Sequence, residues 1–216
     1  NGRGFDDKDY DELTYAAIVA RQYGTEHTAF VVKPEAVKIL PDLIYHYDEP
    51  YADSSAVPTY YVAKLTREHV TVALNGDGGD ESFAGYERYR ADALAARYAR
   101  IPPVVREGLR RAANLLPYRE YRWSFSRRLR RFLNGISDAP ARRYVRWLCY
   151  FSNDMKDDLY SSAFKQAMAG HDSVALTETA YAETDAATLL EKQLYADVTM
   201  YLPYDLLVKV DIASMA

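Results

Sequence analysis

The hydrophobic pattern along this chain changes character once, near residue 86. Before it, helical spacing alternates with short β-branched runs; after it, only helical spacing remains. Leu13, Ala16, Ala17, Ala20 and Tyr23 recur at helical intervals, which predicts an amphipathic helix over 9–23 closed by Gly24. Residues 28–32 read as a short strand. Pro34 then opens a helix whose apolar face is Ala36, Val37, Leu40, Leu43, Ile44 and Tyr47. Asp48-Glu49-Pro50 stops it, residues 51–55 form a polar connection, and 56–66 read as a further helix. The run Val70-Thr-Val-Ala-Leu74 reads as a strand, followed by a glycine-rich acidic loop and a short helix at 82–86.

This order, strand and helix in alternation up to a glycine loop, predicts an α/β part with a parallel sheet and right-handed crossovers over residues 1–87. Beyond it, helices are predicted at 88–99, 103–115, 122–134, 138–150, 154–169, 187–200 and 204–215. Breaks fall at Pro102-Pro103, Pro117, Asn134-Gly135, Gly170 and Pro203. Residues 88–216 are therefore expected to be mostly helical.

Composition adds limits. In 216 residues an apolar share of 49% is enough for a core, and a net charge of −4 selects no class of partner. A single cysteine, Cys149, rules out an internal disulfide and suits a reducing, cytoplasmic setting; its apolar neighbours predict a core position. No apolar run approaches the ~18 residues of a spanning helix, so no membrane role is expected. The opening Asn-Gly-Arg-Gly carries no signal-peptide pattern, and the chain is expected to be a piece of a longer one. Charge is uneven: residues 88–146 hold 16 arginines, no lysine and four acids, leaving +12 there and −16 elsewhere. Such a segment could meet nucleic acid through phosphates. Its arginines are interleaved with Leu, Tyr, Trp and Phe, however, and the acidic remainder can pair with them. The expectation is no nucleic-acid binding, with an interdomain or homodimer surface as the other use.

The chemistry concentrates in Asn75-Gly-Asp-Gly-Gly-Asp-Glu-Ser-Phe-Ala-Gly-Tyr86. No lysine follows the glycines, so it is not a phosphate loop of the Walker type. Glu81 stands where a dinucleotide loop has its last glycine, and Asp80 and Tyr86 occupy the places of the glycine and glutamate of a calcium loop. What remains is backbone that can approach a ligand closely at Gly76, Gly78 and Gly79, with two carboxylates, Asp80 and Glu81, at a helix start. These could be first-turn acids favoured by the helix dipole, or they could hold Mg2+ on a polyphosphate.

The same stretch resembles the second nucleotide-site motif of the asparagine synthetase family, Ser-Gly-Asp/Glu-Gly-x-Asp-Glu-Leu-Phe-x-Gly-Tyr. Two further stretches agree in order: Asp48-Glu-Pro-Tyr-Ala-Asp-Ser-Ser-Ala-Val-Pro-Thr-Tyr60, and Tyr201-Leu-Pro-Tyr-Asp-Leu-Leu-Val-Lys-Val-Asp-Ile-Ala-Ser-Met-Ala216. The resemblance is to the glutamine-hydrolysing form and implies a partial sheet of the adenine-nucleotide α-hydrolase-like (PP-loop ATPase) fold. It implies an ATP- and Mg2+-dependent ligase that adenylates the aspartate side-chain carboxylate and lets ammonia from glutamine displace AMP. Asn75 and Gly76 then match the ATP contact, with Gly78 and Gly79 beside it. Asp77 matches the acid that helps deprotonate ammonia, Asp80 the residue on Mg2+–pyrophosphate, and Glu81 its neighbour at the metal.

Two departures are local: Asn75 replaces the usual Ser, and Asp77, where the family also uses the longer Glu, has the shorter reach. The family's first pyrophosphate motif, Ser-Gly-Gly-x-Asp-Ser-Ser, and its glutaminase domain with a leading Cys are absent from these residues. The stretch alone is therefore expected to be inactive and to need that glutaminase domain as partner. A related amidotransferase, a β-lactam-forming ligase or a non-catalytic helical interaction module are the other readings. Elsewhere, His27, His46, His69 and His171 lack metal-ligand spacing. Asp48, Glu49 and Asp53 either shape the site or merely end a helix. Lys209 and Asp211, two apart, cannot share a helix face, so at most one of them faces inward.

Overall fold

The computed structural model describes residues 2–4, 13–31, 35–115, 129, 132–133 and 139–216. In chain order the elements begin with β1 (Gly2–Gly4), α1 (Leu13–Tyr23), β2 (Ala29–Val31), α2 (Ala36–Tyr47), α3 (Ala56–Arg67), α4 (Gly79–Phe83), α5 (Glu87–Tyr98) and α6 (Pro103–Leu115). They continue with α7 (Pro140–Leu148), α8 (Asn153–Leu159), α9 (Ser162–Ala167), α10 (Ala175–Glu183), α11 (Leu189–Ala196), a π-helical segment (Asp197–Leu206) and α12 (Leu207–Met215). The chain divides into two compact units, residues Asn1–Asp77 with Pro203–Ala216, and Gly78–Leu202.

In the first unit β1 and β2 pair in parallel, Gly2 opposite Ala29 and Gly4 opposite Val31, with α1 as the crossover. A parallel pair cannot be closed by a tight turn, so the helix between the strands follows from the pairing. Ile39, Leu43 and Tyr47, spaced to fall on one face of α2, are buried against Ala56, with Tyr51, Val57, Tyr60, Tyr61 and Ile212 around them. The segment 70–74 departs from expectation. It forms no strand, and Val72 and Leu74 are 80% and 98% exposed. An apolar, β-branched run supplies side chains for a sheet but no hydrogen-bond partners for its own backbone. Among the described residues no strand lies alongside it, so the sheet is limited to the β1–β2 pair.

The second unit is helical. Its core is built from Tyr89, Ala141, Tyr144, Ala180, Tyr181 and Ala196, with Tyr86, Leu148, Leu189, Leu194 and Met200 packed against it. Alanines bring the helices close and tyrosines fill the gaps, which leaves buried hydroxyls in need of partners. The helix expected over 154–169 is two helices, because Ser152 and Ser161 each cap a start: their hydroxyls accept the Met155 and Phe164 N–H groups at 3.2 and 3.3 Å. Helix α10 was not expected. Its start is marked by Asp172, whose carboxylate accepts the Val174 N–H at 3.0 Å.

Helix α11 begins at a reciprocal capping box between Thr188 and Glu191. Pro203, expected as a break, lies inside the π-helical segment instead. The wider turn relaxes the clash that a proline ring makes with a carbonyl four residues earlier. Cys149, expected in a core helix, is exposed just past the end of α7. The positions 9–12, 32–34, 116–128, 130–131 and 134–138, among them part of the expected helices at 9–23 and 122–134, lie outside the described residues. No helix among the described residues is long and apolar enough to cross a membrane.

Candidate functional site

The division between the two units falls within the acidic loop, after Asp77, so each side is described in its own unit. In the first, Asn75 and Asp77 are exposed and bonded to each other. The Asn75 amide donates to the Asp77 carboxylate at 2.5 Å, and the Asp77 N–H donates back to Asn75 Oδ1 at 3.3 Å. Asparagine in place of serine thus supplies a side chain that holds the neighbouring carboxylate. A Cβ at Gly76 or Gly79 would meet nothing within 4 Å, so both stretches of backbone are open to close approach.

In the second unit Gly78 takes φ 87° as the residue before α4, a conformation that other residues rarely adopt. The five residues of α4 carry Asp80 and Glu81 in the first turn, and the two carboxylates diverge. Asp80 is exposed, whereas Glu81 is 1% exposed and accepts a hydrogen bond from the Tyr86 hydroxyl. Burial, and then that bond, push the Tyr86 hydroxyl far above its ordinary range, so it stays protonated as a donor. Among the described residues no group of three or more His, Cys, Asp or Glu side chains could hold a metal ion. An exposed Asp80 suits Mg2+, which needs only one or two carboxylates when phosphates and water fill its shell.

Tyr86 continues into a polar core. The Arg88 guanidinium lies 3.6 Å from the Tyr86 ring centroid and donates to Asp197 at 2.8 Å and to the Tyr144 hydroxyl at 3.0 Å. Asp197 is fully buried and also accepts the hydroxyls of Tyr89 and Tyr144. Beside it, Asp92, equally buried, accepts from Arg143 and from the Gln193 amide, the latter at 2.7 Å. Two of the 16 arginines of the basic segment are thus consumed internally, and Arg142 at its edge pairs with Asp172 and Glu178.

The first unit holds a polar cluster whose membership the sequence left open. Lys209 is 7% exposed, and its ammonium donates to Asp53 Oδ2 and Ser55 Oγ, both at 2.7 Å. Asp53 also accepts the Ser55 N–H at 2.9 Å, an Asx turn that starts α3 without a serine cap. Burial raises the Asp53 carboxyl, but the Lys209 and Ser55 bonds outweigh it and hold it below the usual range. Tyr51 donates to Asp205 at 2.6 Å and stacks on Tyr47, whose hydroxyl donates to the Lys209 carbonyl at 2.8 Å. Burial, then Asp53 and Asp205, push the Tyr47 hydroxyl up to about 12. Asp211, two residues on, is exposed. A signal for this cluster existed in the sequence: a lysine among the apolar positions of α12, which only a buried carboxylate could satisfy.

A family model for asparagine synthase matches residues 3–216. Asparagine synthetase [glutamine-hydrolyzing] 1 of Bacillus subtilis (strain 168) is 31% identical over 214 residues, 99% of this chain and 32% of that protein. A protein of Mycobacterium tuberculosis (strain ATCC 25618 / H37Rv) assigned as a glutamine-hydrolyzing asparagine synthetase is 29% identical over 214 residues, 99% of this chain and 31% of its own. A Methanocaldococcus jannaschii protein assigned the same way is 45% identical over 84 residues, 38% of this chain and 16% of its own. No solved structure matches the chain. The chain spans about a third of the length of the curated relatives that match it end to end. With the family model covering nearly every residue, and these relatives beside it, the chain belongs to the asparagine synthase family.

Proposed function

We propose that this chain is the ATP-using synthetase part of an asparagine synthetase-type ligase. In that reaction the aspartate side-chain carboxylate is adenylated, and ammonia released from glutamine by a glutaminase domain displaces AMP. The observation that carries the reading is the acidic loop of a chain of this family: in one unit Asp77 is exposed and Gly76 leaves the backbone open, and in the other Asp80 is exposed and Gly79 does the same. Bound with ATP, Mg2+ supplies positive charge to the departing pyrophosphate. Asp80 is the residue proposed to hold it, since the neighbouring Glu81 carboxylate is turned inward to Tyr86. Gly76, Gly78 and Gly79 let main-chain groups approach the nucleotide, and Asn75 contributes backbone contacts. Asp77, steadied by the Asn75 amide, is the proposed base that takes a proton from ammonia as it attacks.

The test is Asp80→Ala in the complete protein, with AMP and pyrophosphate formation from ATP and aspartate followed together. A loss of about 10²-fold or more is expected for removal of a charge-stabilising group. Full turnover by the variant overturns the assignment. Replacing aspartate by other carboxylic acids in the same assay decides the acceptor: turnover with aspartate alone supports the asparagine-forming reading, and preference for another acid overturns it.

A further inference from the structure

Gly85 does not owe its identity to backbone conformation. Its φ is not positive, unlike that of Gly78 or of Ala84 just before it, at 58°. What it lacks is room. A Cβ built there would overlap Asp80 Oδ1, would lie 2.8 Å from Asp80 Cγ and 3.1 Å from Asp80 Cα. The left-handed turn at Ala84 folds the chain back so that the Gly85 N–H donates to the Asp80 carbonyl at 3.0 Å. The turn is fixed from the other side as well. Tyr86 is bonded to Glu81 and covered by Arg88, and Arg88 is bonded to buried Asp197. Residue 85 therefore cannot retreat without disturbing a buried charged network. The Asp80 carboxylate is different, being exposed and free to rotate into solvent.

We propose that Gly85 is a positioning residue: by carrying no side chain, it admits the one orientation of the Asp80 carboxylate that serves Mg2+–pyrophosphate, and any Cβ there drives the carboxylate out of it. This rests on the proposed role of Asp80 and adds to it the residue that controls the orientation. The Tyr86–Arg88–Asp197 chain is the rigid wall against which the selection acts.

The experiment is a double-variant cycle in the complete protein: Gly85→Ala, Asp80→Ala and both together. Two readouts are used, Mg2+-dependent pyrophosphate binding by calorimetry and the thermal midpoint without ligand. Gly85→Ala is expected to weaken binding by about tenfold or more, the range seen when support behind a metal ligand is removed. The double variant is expected to bind no worse than Asp80→Ala. Any drop in thermal midpoint from Gly85→Ala is expected to shrink in the Asp80→Ala background, because the carboxylate is gone and only the tight contact with the Asp80 Cα remains. Parental binding by Gly85→Ala overturns the proposal. So does a double variant weaker than Asp80→Ala by the same factor that Gly85→Ala imposes on the parent. Should Gly85→Ala be too unstable to purify, an equally unstable double variant overturns it and a double variant that folds like Asp80→Ala supports it. Parental binding by Asp80→Ala is a distinct result, which overturns the metal role itself.

Discussion

The acidic loop and the polar core of the second unit put the same residue type in opposite settings. Asp77 and Asp80 are exposed, and their contacts are local: the Asn75 amide bonds the Asp77 carboxylate, and the Gly85 N–H bonds the Asp80 main-chain carbonyl. Asp197 and Asp92 are fully buried, and each takes its partners from two other helices: Arg88, Tyr89 and Tyr144 for Asp197, Arg143 and Gln193 for Asp92. Whether a carboxylate is free to meet a ligand or is spent on structure is decided by these distant partners. Glu81 shows that a near partner can also do this: adjacent to exposed Asp80, it is buried and accepts the Tyr86 hydroxyl from five residues on.

The comparison breaks first on stability. Asp197→Ala leaves the Arg88 guanidinium and two tyrosine hydroxyls buried without their shared acceptor. It should cost about 3–5 kcal/mol, the range for removing one partner of a buried ion pair. Asp77→Ala, by contrast, should stay within about 0.5 kcal/mol, as exposed substitutions do. Urea denaturation of both variants decides it, and equal losses would mean that the loop is as much a structural element as the core.

The same contrast explains what could be read from the sequence. The extents of helices such as α2 and α6 were predicted almost residue for residue, because their signals are local. The buried face of α2 differs from expectation: Ile39 joins Leu43 and Tyr47 in the core, while Ala36, Val37, Leu40 and Ile44 are exposed. The glycine-rich turn was legible from local signals too, although its helix runs over Gly79–Phe83 and not over 82–86. The strand at 70–74 was not realised because a strand is defined by a neighbour, and none lies beside it among the described residues. The roles of Lys209 and Asp53 were left open because their partnership spans more than 150 residues. The burial of Glu81 was missed because nothing in Asp-Glu says which of the two meets a tyrosine five positions on.

A smaller effect is expected in the first unit, and it depends on pH. Asp53 has a folded-state carboxyl held below its ordinary value of 3.8 by Lys209 and Ser55, which outweigh the effect of burial. A depressed carboxyl stabilises the fold through its charged form. The contribution is therefore complete above the ordinary value and drains away as pH falls below it. Asp53→Asn removes a hydrogen bond to a charged group and should cost about 2 kcal/mol at neutral pH. It should also flatten the stability curve below pH ~4, where the unfolded carboxyl titrates. Denaturation of parent and variant between acid and neutral pH measures both. An unchanged slope would mean that the Lys209–Asp53 pair does not persist in solution, and that this buried cluster behaves like the exposed loop.

The smallest expected effect separates two glycines within the loop itself. Gly78 needs its left-handed backbone, at φ 87°, while the space around it is ordinary: a Cβ would sit 3.5 Å from the Leu202 side chain. Gly78→Ala should therefore cost only the conformational term, about 1 kcal/mol. Gly79 has no positive φ and nothing within 4 Å of a built Cβ, so Gly79→Ala should leave stability within about 0.5 kcal/mol. If Gly79 is kept clear for nucleotide rather than for folding, Gly79→Ala should weaken Mg-ATP binding without moving the unfolding midpoint. Gly78→Ala should move that midpoint as well. Calorimetric ATP titrations beside thermal melts test the pair. A Gly79→Ala protein that binds Mg-ATP as the parent does would remove that glycine from the binding surface and leave the exposed carboxylates as the loop's whole contribution.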